Sequence, residues 1–333
     1  MTHNVLEIKD LLFYISDFLD DREAFRLFRT KKYFNDLIKS NPGRYTVKKM
    51  YYHITANRKI PKSYKITRRH IYKVSDIESY GNNFYHNFYH ILCDYTFNES
   101  VDNLPSELRI LELGLRFSQS VDNLPKNLLR LHIWGNFNNT VNRLPENLQV
   151  LSFIDMSFFN QPVDCLPSHL TRLEFGHNFN QPVDKLPKSL KHLKFGLDFN
   201  QKVDLLPPNI EELEFGDSFN QVVDHLPTSL KTLKFGREFN HPVDCLPENI
   251  IKLTFGSCFN QDVKHLPNSL RQVYFGFAFN KSIEKLPVNI EVIEVSRLFT
   301  QDFPMHFSKL RRVIVPYRYE KELPKCFIER FSM

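Results

Sequence analysis

The residues of this 333-residue chain that could do chemistry are scattered along it. Its 13 histidines and 5 cysteines could ligate a metal or supply a base and a nucleophile, but only where spacing brings them together. Cys93, Cys165, Cys245, Cys258 and Cys326 include no C-x-x-C pair, and their odd number argues against a disulfide framework. That usage fits a reducing compartment, in which the Asn98-Glu-Ser100 and Asn138-Asn-Thr140 sequons are coincidental. No H-E-x-x-H, G-x-S-x-G, G-x-G-x-x-G or G-x-x-x-x-G-K-[ST] occurs. His225 and His265 share a repeat position, as do Cys165 and Cys245, but Lys and Leu stand there in other repeats, which marks a variable loop site. The sequence therefore points away from an enzyme, a metal and a cofactor. The chemistry it does offer is ionic recognition: Lys191 and Lys194, Glu211 and Glu214, then Lys231 and Lys234 alternate in sign at 20-residue intervals.

What must position those charges is a repeat. Leu-Pro recurs at 104, 124, 144, 166, 186, 206, 226, 246, 266 and 286, every 20 residues except across the 144 unit, which is longer by two at Ile154-Asp-Met-Ser157. The unit reads L-P-x-[SN]-L-x-x-L-x-F-G-x-x-F-N-Q-x-V-D-x. Degenerate units precede it (Phe84 to Asn103) and follow it (Leu310, Val313, Val315). Leu193 and Phe195 flank Lys194, the alternation of a strand buried on one face. Twenty residues cannot hold a strand, two turns and a full helix, so the return must be a short 3-10 turn or extended chain. Pro187 suits the start of that turn, and the glycines at 114, 176, 196, 216, 236, 256 and 276 suit a left-handed or tight turn after the strand. The expected fold is an α/β solenoid: a small N-terminal helical segment, then a leucine-rich-repeat-like parallel β-solenoid.

Phe fills the fourteenth position of every unit from Phe97 to Phe299, so stacked coils would form an aromatic spine, each ring contributing roughly 1.5–3 kcal/mol by burial. The Asn that usually follows it predicts a buried amide ladder serving loop backbone groups. A second period of two units appears at position four, Ser189, Asn209, Ser229, Asn249, Ser269 and Asn289, in step with the alternating charges. On strands about 4.8 Å apart those charges become complementary neighbours, each pair worth ~0.2–1 kcal/mol.

The net charge of +6 is local. Residues 41–75 hold Arg44, Lys48, Lys49, Arg58, Lys59, Lys62, Lys65, Arg68, Arg69 and Lys73 and no acid, whereas the chain beyond is mildly acidic, which is no footprint for nucleic acid along the array. Within the block, apolar positions such as Val47, Ile54, Ile66 and Ile71 favour an N-terminal cap over phosphate contact, and Ile60-Pro-Lys-Ser-Tyr64 mimics the opening of a repeat. Upstream, Leu6, Leu11, Leu12, Ile15, Phe18 and Leu19 recur at helical spacing, and two further short amphipathic stretches follow before Pro42-Gly43. Such a segment must lean on a neighbour or offer its apolar face to a partner. No run of 18 apolar residues predicts a membrane span.

Leu12-Phe-Tyr-Ile-Ser-Asp-Phe-Leu-Asp20, Phe25-Arg-Leu-Phe28 and Lys32-Tyr-Phe34 resemble an F-box, without its opening Leu-Pro and with Tyr33-Phe34 where a Trp is common. Phe-Asn-Gln-Pro-Val-Asp followed by Leu-Pro resembles the FNIP repeat. Together they are similar to the F-box/FNIP repeat proteins of amoebae and of the large viruses that infect them. That resemblance implies a non-catalytic substrate receptor of a cullin-type ubiquitin ligase, working in the cytoplasm, of a host cell if viral, and monomeric on its own. Leu11, Leu12, Ile15, Phe18 and Leu19 would contact a Skp-family adaptor. The alternative is a repeat scaffold with no ligase link.

The expected organisation is an F-box-like segment over 1–40, a basic Tyr-rich linker or cap over 41–83, the solenoid over 84–303, and a degenerate last repeat with C-terminal cap over 304–333. A target protein would be gripped on the concave face by Arg172, Glu174, His192, Lys194, Glu212, Glu214, Thr232, Lys234, Lys252 and Tyr274, with Phe277 and Ile314 joining Tyr274 as an apolar hot spot.

Overall fold

A computed structural model of the chain describes residues 46–47, 65–66, 69–71, 90–93, 95–154 and 156–331. The F-box-like segment, and with it Leu11, Leu12, Ile15, Phe18 and Leu19, lies outside the described residues. Among the described residues no helix is long and apolar enough to cross a membrane.

Two short strands, β1 (Thr46–Val47) and β2 (Lys65–Ile66), pair in parallel. Their 19-residue offset makes part of the basic block repeat-like, as Ile60-Pro-Lys-Ser-Tyr64 suggests. All the other strands among the described residues form one 14-stranded parallel sheet in sequence order. They are β3 (Arg69–Ile71), β4 (His90–Cys93), β5 (Ile110–Leu113), β6 (Arg130–Ile133), β7 (Val150–Phe153), β8 (Arg172–Glu174) and β9 (His192–Lys194). Then come β10 (Glu212–Glu214), β11 (Thr232–Lys234), β12 (Lys252–Thr254), β13 (Gln272–Tyr274), β14 (Val292–Glu294), β15 (Arg312–Pro316) and β16 (Phe327–Phe331). Leu193 pairs with Leu213 and Leu213 with Leu233, a 20-residue register. Leu151 pairs with Leu173, so the two extra residues of the 144 unit are absorbed in its turn and the next strand falls back into line.

The return path is made of β-turns and extended chain. Pro187 opens a turn closed by the Leu190 N–H on its own carbonyl at 3.1 Å, and the same bond recurs from Leu108 to Ile290. The return thus combines both alternatives, a single turn with the 3-10 type of hydrogen bond at Pro187 and extended chain on either side, with no 3-10 helix among the described residues. A coil is cross-linked to its predecessor: the Thr171 carbonyl accepts both the Lys191 and His192 N–H groups, at 2.9 and 3.1 Å.

The spine is real and double. All eleven phenylalanines from Phe97 to Phe299 are buried, and consecutive rings lie nearly parallel with centroids 6.0–6.2 Å apart. A second column, Phe153 to Phe275, comes from the strand motif L-x-F, and its rings sit flat against the first: Phe195 on Phe199 at 3.7 Å, Phe175 on Phe179 at 3.6 Å. At the C-terminal end Tyr319 stacks on Phe299 and donates its hydroxyl to the Gln301 carbonyl at 2.8 Å. Arg330 closes the same end by donating to the carbonyls of Tyr317 and Tyr319.

Two expectations change. Among the described glycines only Gly135 has a left-handed backbone, φ 61°. The repeat glycines are needed for a different reason: a Cβ on Gly196, Gly216 or Gly256 would lie 1.7–1.8 Å from the carbonyl oxygen of the glycine one coil back. The Asn ladder exists, but half-buried or exposed, because the groups it serves are at the surface between coils. Asn180 Oδ1 accepts the Asn200 N–H at 2.9 Å, Asn200 that of Asn220, and Asn220 that of Asn240. Asn98 and Asn138, the asparagines of the two sequons, hold rungs of it by accepting the N–H of Ser118 and Asn160.

In chemical denaturation, Phe219→Ala, which removes a fully buried ring stacked on Phe199, Phe215 and Phe239, should cost about 3–5 kcal/mol. Gly236→Ala, whose Cβ would meet the Gly216 oxygen at 2.0 Å, should also destabilise the protein markedly, whereas Leu205→Ala, 66% exposed, should change stability by less than about 0.5 kcal/mol.

Candidate functional site: the outer face of the sheet

Because side chains alternate along each strand, two residues per coil face solvent around the buried Leu of β8 to β11. Pairing in register stacks them into two columns. One runs Arg172, His192, Glu212, Thr232, Lys252, Gln272; the other Glu174, Lys194, Glu214, Lys234, Thr254, Tyr274. Nine of the ten residues expected from the sequence, Arg172 to Lys252, line a single shallow groove of about 230 Å³ together with Thr254. Tyr274 lies one strand beyond its last members, with the Lys252 ammonium 5.5 Å from its ring centre. The apolar hot spot does not assemble: Ile314 shares the Tyr274 column but is buried, and Phe277 lies on the turn that follows β13, off the face.

The charges of the groove are largely paired within it. His192 Nδ1 lies 2.8 Å from Glu212 Oε2, and Lys234 Nζ donates to Glu214 Oε1 at 2.8 Å. Arg172 donates to Glu174 Oε1 at 2.7 Å while Ser152 donates to Glu174 Oε2 at 2.6 Å. Burial pushes the Glu174 carboxyl up, but Ser152, Arg172 and Lys194 together hold it below the usual carboxylate range. Lys194 and Lys252 form no salt bridge among the described residues, which leaves two ammonium groups in the groove for an acidic group of a bound chain.

The face extends further than the sequence suggested. Toward the N-terminal end His90 Nε2 meets Glu112 Oε1 at 2.7 Å, and burial lowers the pKa of His132 despite the carboxylates of Glu112 and Glu174. The register of β4 to β7 carried this signal, since Glu112, His132 and Ser152 occupy the column of Glu174. Toward the C-terminal end burial raises the pKa of Glu294, which Arg312 only partly offsets and Glu329 reinforces. Beside the face, a wider groove of about 770 Å³ is lined by Ser189, Asn209, Ser229 and Asn249 and by the ladder Lys191–Glu211–Lys231, with N–O distances of 3.6 and 2.6 Å. Here the Ser/Asn alternation finds its cause. Ser189 and Ser229 donate to the Leu170 and Ile210 carbonyls of the preceding coil, and Asn209 and Asn249 donate to those of Lys188 and Thr228. Among the described residues no three His, Cys, Asp or Glu side chains gather as metal ligands.

This fold and face define a leucine-rich-repeat-type parallel β-solenoid, an architecture whose common use is to bind other proteins without catalysis. The FNIP repeat model matches residues 159–198, 182–218, 199–237 and 239–278, so the chain carries FNIP repeats over that stretch. Its structure is similar to that of CroV588, described as a novel circular LRR protein, with TM-score 0.64 and 29% identity over 81% of this chain. It spans only 50% of that protein's length. YopM from Yersinia enterocolitica WA-314 is more distant, with TM-score 0.41 and 16% identity over 80% of this chain and 73% of its own. No curated protein matches the sequence.

The part-buried carboxylates Glu174 and Glu294 have opposite linkage. Glu174 has a depressed folded pKa, so its contribution is present above the unfolded carboxylate pKa and is lost as pH falls through the folded value. Glu294 has a raised one, so it favours the fold at acid pH and loses that as pH rises through its folded value. Denaturant titrations should show Glu174→Gln destabilising at pH 7 and Glu294→Gln stabilising there, each by less than about 1 kcal/mol because both groups are half solvated, with both effects shrinking at acid pH.

Proposed function

We propose that the chain is a non-catalytic target-binding subunit of a cullin-type ubiquitin ligase, acting in the cytoplasm: residues 1–40 dock on a Skp-family adaptor, and the outer face of the sheet grips a target protein. The target-binding half is supported by one observation above the others, the gathering of Arg172, Glu174, His192, Lys194, Glu212, Glu214, Thr232, Lys234 and Lys252 in one groove with Tyr274 beside it. The groove is continuous across several strands and carries both signs of charge, with two lysines left for a partner carboxylate, which suits a polypeptide better than a small molecule. The ligase half rests on the F-box-like sequence, with Leu11, Leu12, Ile15, Phe18 and Leu19 as the adaptor contact.

A pull-down of the full chain with a Skp-family adaptor is the test. Wild type should retain the adaptor, and Leu12→Asp combined with Phe18→Asp should lose it while the repeat array keeps its circular dichroism. Lys194→Glu combined with Lys252→Glu should reduce target capture from native extract and leave adaptor binding unchanged. Failure of wild type to bind any adaptor would leave the protein a repeat scaffold outside the ligase system.

A further inference from the structure

After each strand the chain turns, and these turns stack into one edge of the solenoid. Their backbone is already used: the N–H groups of Asp198, Ser218, Glu238 and Cys258 donate to the carbonyls of His177, Leu197, Asp217 and Arg237 one coil back, at 2.8–2.9 Å. Side chains are therefore what this edge offers to a partner, and their order along it is not random. At the N-terminal end Trp134, Met156 and Phe158 are exposed at 41%, 70% and 54%. At the C-terminal end Phe277, Leu298 and Tyr317 are exposed at 49%, 49% and 73%. Between them the turns are polar except at Leu197, 40% exposed, with Asp217 and Arg237 on adjacent coils at the middle. With Tyr95 and Leu115, on the turns that precede that of Trp134, and Leu197, more than half of the large apolar side chains exposed among the described residues sit on this edge.

Under reversal about its middle, three of the five coil pairs of the edge match: the central charges and the two outermost apolar pairs. We infer that this edge is a two-fold dimerisation surface, and that its partner is a second copy of the same chain packed antiparallel, edge to edge. With the two-fold axis between the turns of Asp217 and Arg237, Asp217 of one protomer faces the partner's Arg237 and the reverse. The same operation sets the turn of Trp134 against that of the partner's Tyr317 and Phe158 near the partner's Leu298, while Phe277 meets the partner's His177 and Leu197 the partner's Ser257. An isologous contact needs a surface that matches itself in this way. The ten turns from Trp134 to Tyr317, stacked about 4.8 Å apart, run for about 43 Å, so the roughly 800 Å² per partner of a stable interface requires contact over a strip about 19 Å wide. The outer face of the sheet is left open by this arrangement, so a dimer presents two target-binding grooves. This goes beyond the target-binding reading, and it replaces the monomer anticipated from the sequence alone.

Within one copy Asp217 Oδ1 accepts the Arg237 N–H at 3.2 Å and Arg237 Nε lies 3.5 Å from Glu238, all at the surface, so charge exchange there leaves the core untouched. Sedimentation equilibrium of the full chain should give a dimer. Asp217→Arg alone and Arg237→Asp alone should each weaken association at least about tenfold, since each places like charges together twice. An equimolar mixture of those two variants restores both opposite-charge contacts and should recover the dimer. Trp134→Glu, remote from the charged pair, should weaken it as well. A wild type that stays monomeric, a dimer indifferent to these changes, or no recovery on mixing would overturn the proposal.

Discussion

The constraint from which the rest follows is how closely one coil lies on the next at the glycine column. From Gly196 to Gly276 a single added carbon would fall within 2.0 Å of the oxygen below, so the coils touch backbone to backbone there. That contact lets each strand pair in an unbroken 20-residue register and keeps the rings of both Phe columns nearly parallel. Where glycine ends the stacking bond changes too. Ser296 occupies the next place in the column, and the Leu298 N–H turns to the Ser296 hydroxyl instead of reaching back one coil. The hydroxyl itself donates to the Phe279 carbonyl at 2.6 Å.

Stacking of this kind leaves backbone groups between coils that no ladder within a coil can serve, and the polar repeat positions answer it. Asn at position fifteen accepts the next coil's N–H, and the following Gln donates to the same oxygen, as Gln201 does to Asn180. Ser118 has no amide oxygen to offer, and there Asn139 donates to the Ser118 carbonyl instead. Each such bond contributes only about 1 kcal/mol, but leaving its backbone partner unsatisfied would cost more. The polar code of the repeat is thus a set of side-chain-to-backbone links between neighbours, which is why its period is one coil or two.

The parts of this structure that depend on periodicity were legible in the sequence. Phe97 to Phe299, the strand around Leu193 and the Lys/Glu ladder could be placed because one residue type returning every 20 positions has few physical explanations. The function of the glycines was not legible, since tight turning and close stacking exclude a side chain equally well. Nor was the position of Phe277 on the turn edge and Ile314 in the core, because two residues a few places apart in sequence can leave a strand on different surfaces. The face toward His90 and His132 was missed for a similar reason: its early coils replace Phe with Leu113 and Ile133, which hides their kinship with the later ones.

Ring spacing carries one more consequence. Strands in register lie about 4.8 Å apart. Deeper in, the Phe rings from Phe175 to Phe275 are 5.5–5.7 Å apart, and those of the farther column 6.0–6.2 Å. Equivalent atoms that separate with depth mean that every coil is a thin wedge, narrow at the sheet and thick at its back. Piling wedges bends the pile toward its thin side, so the charged columns line the inside of an arc, and a rounded surface can touch more of them at once than a flat one.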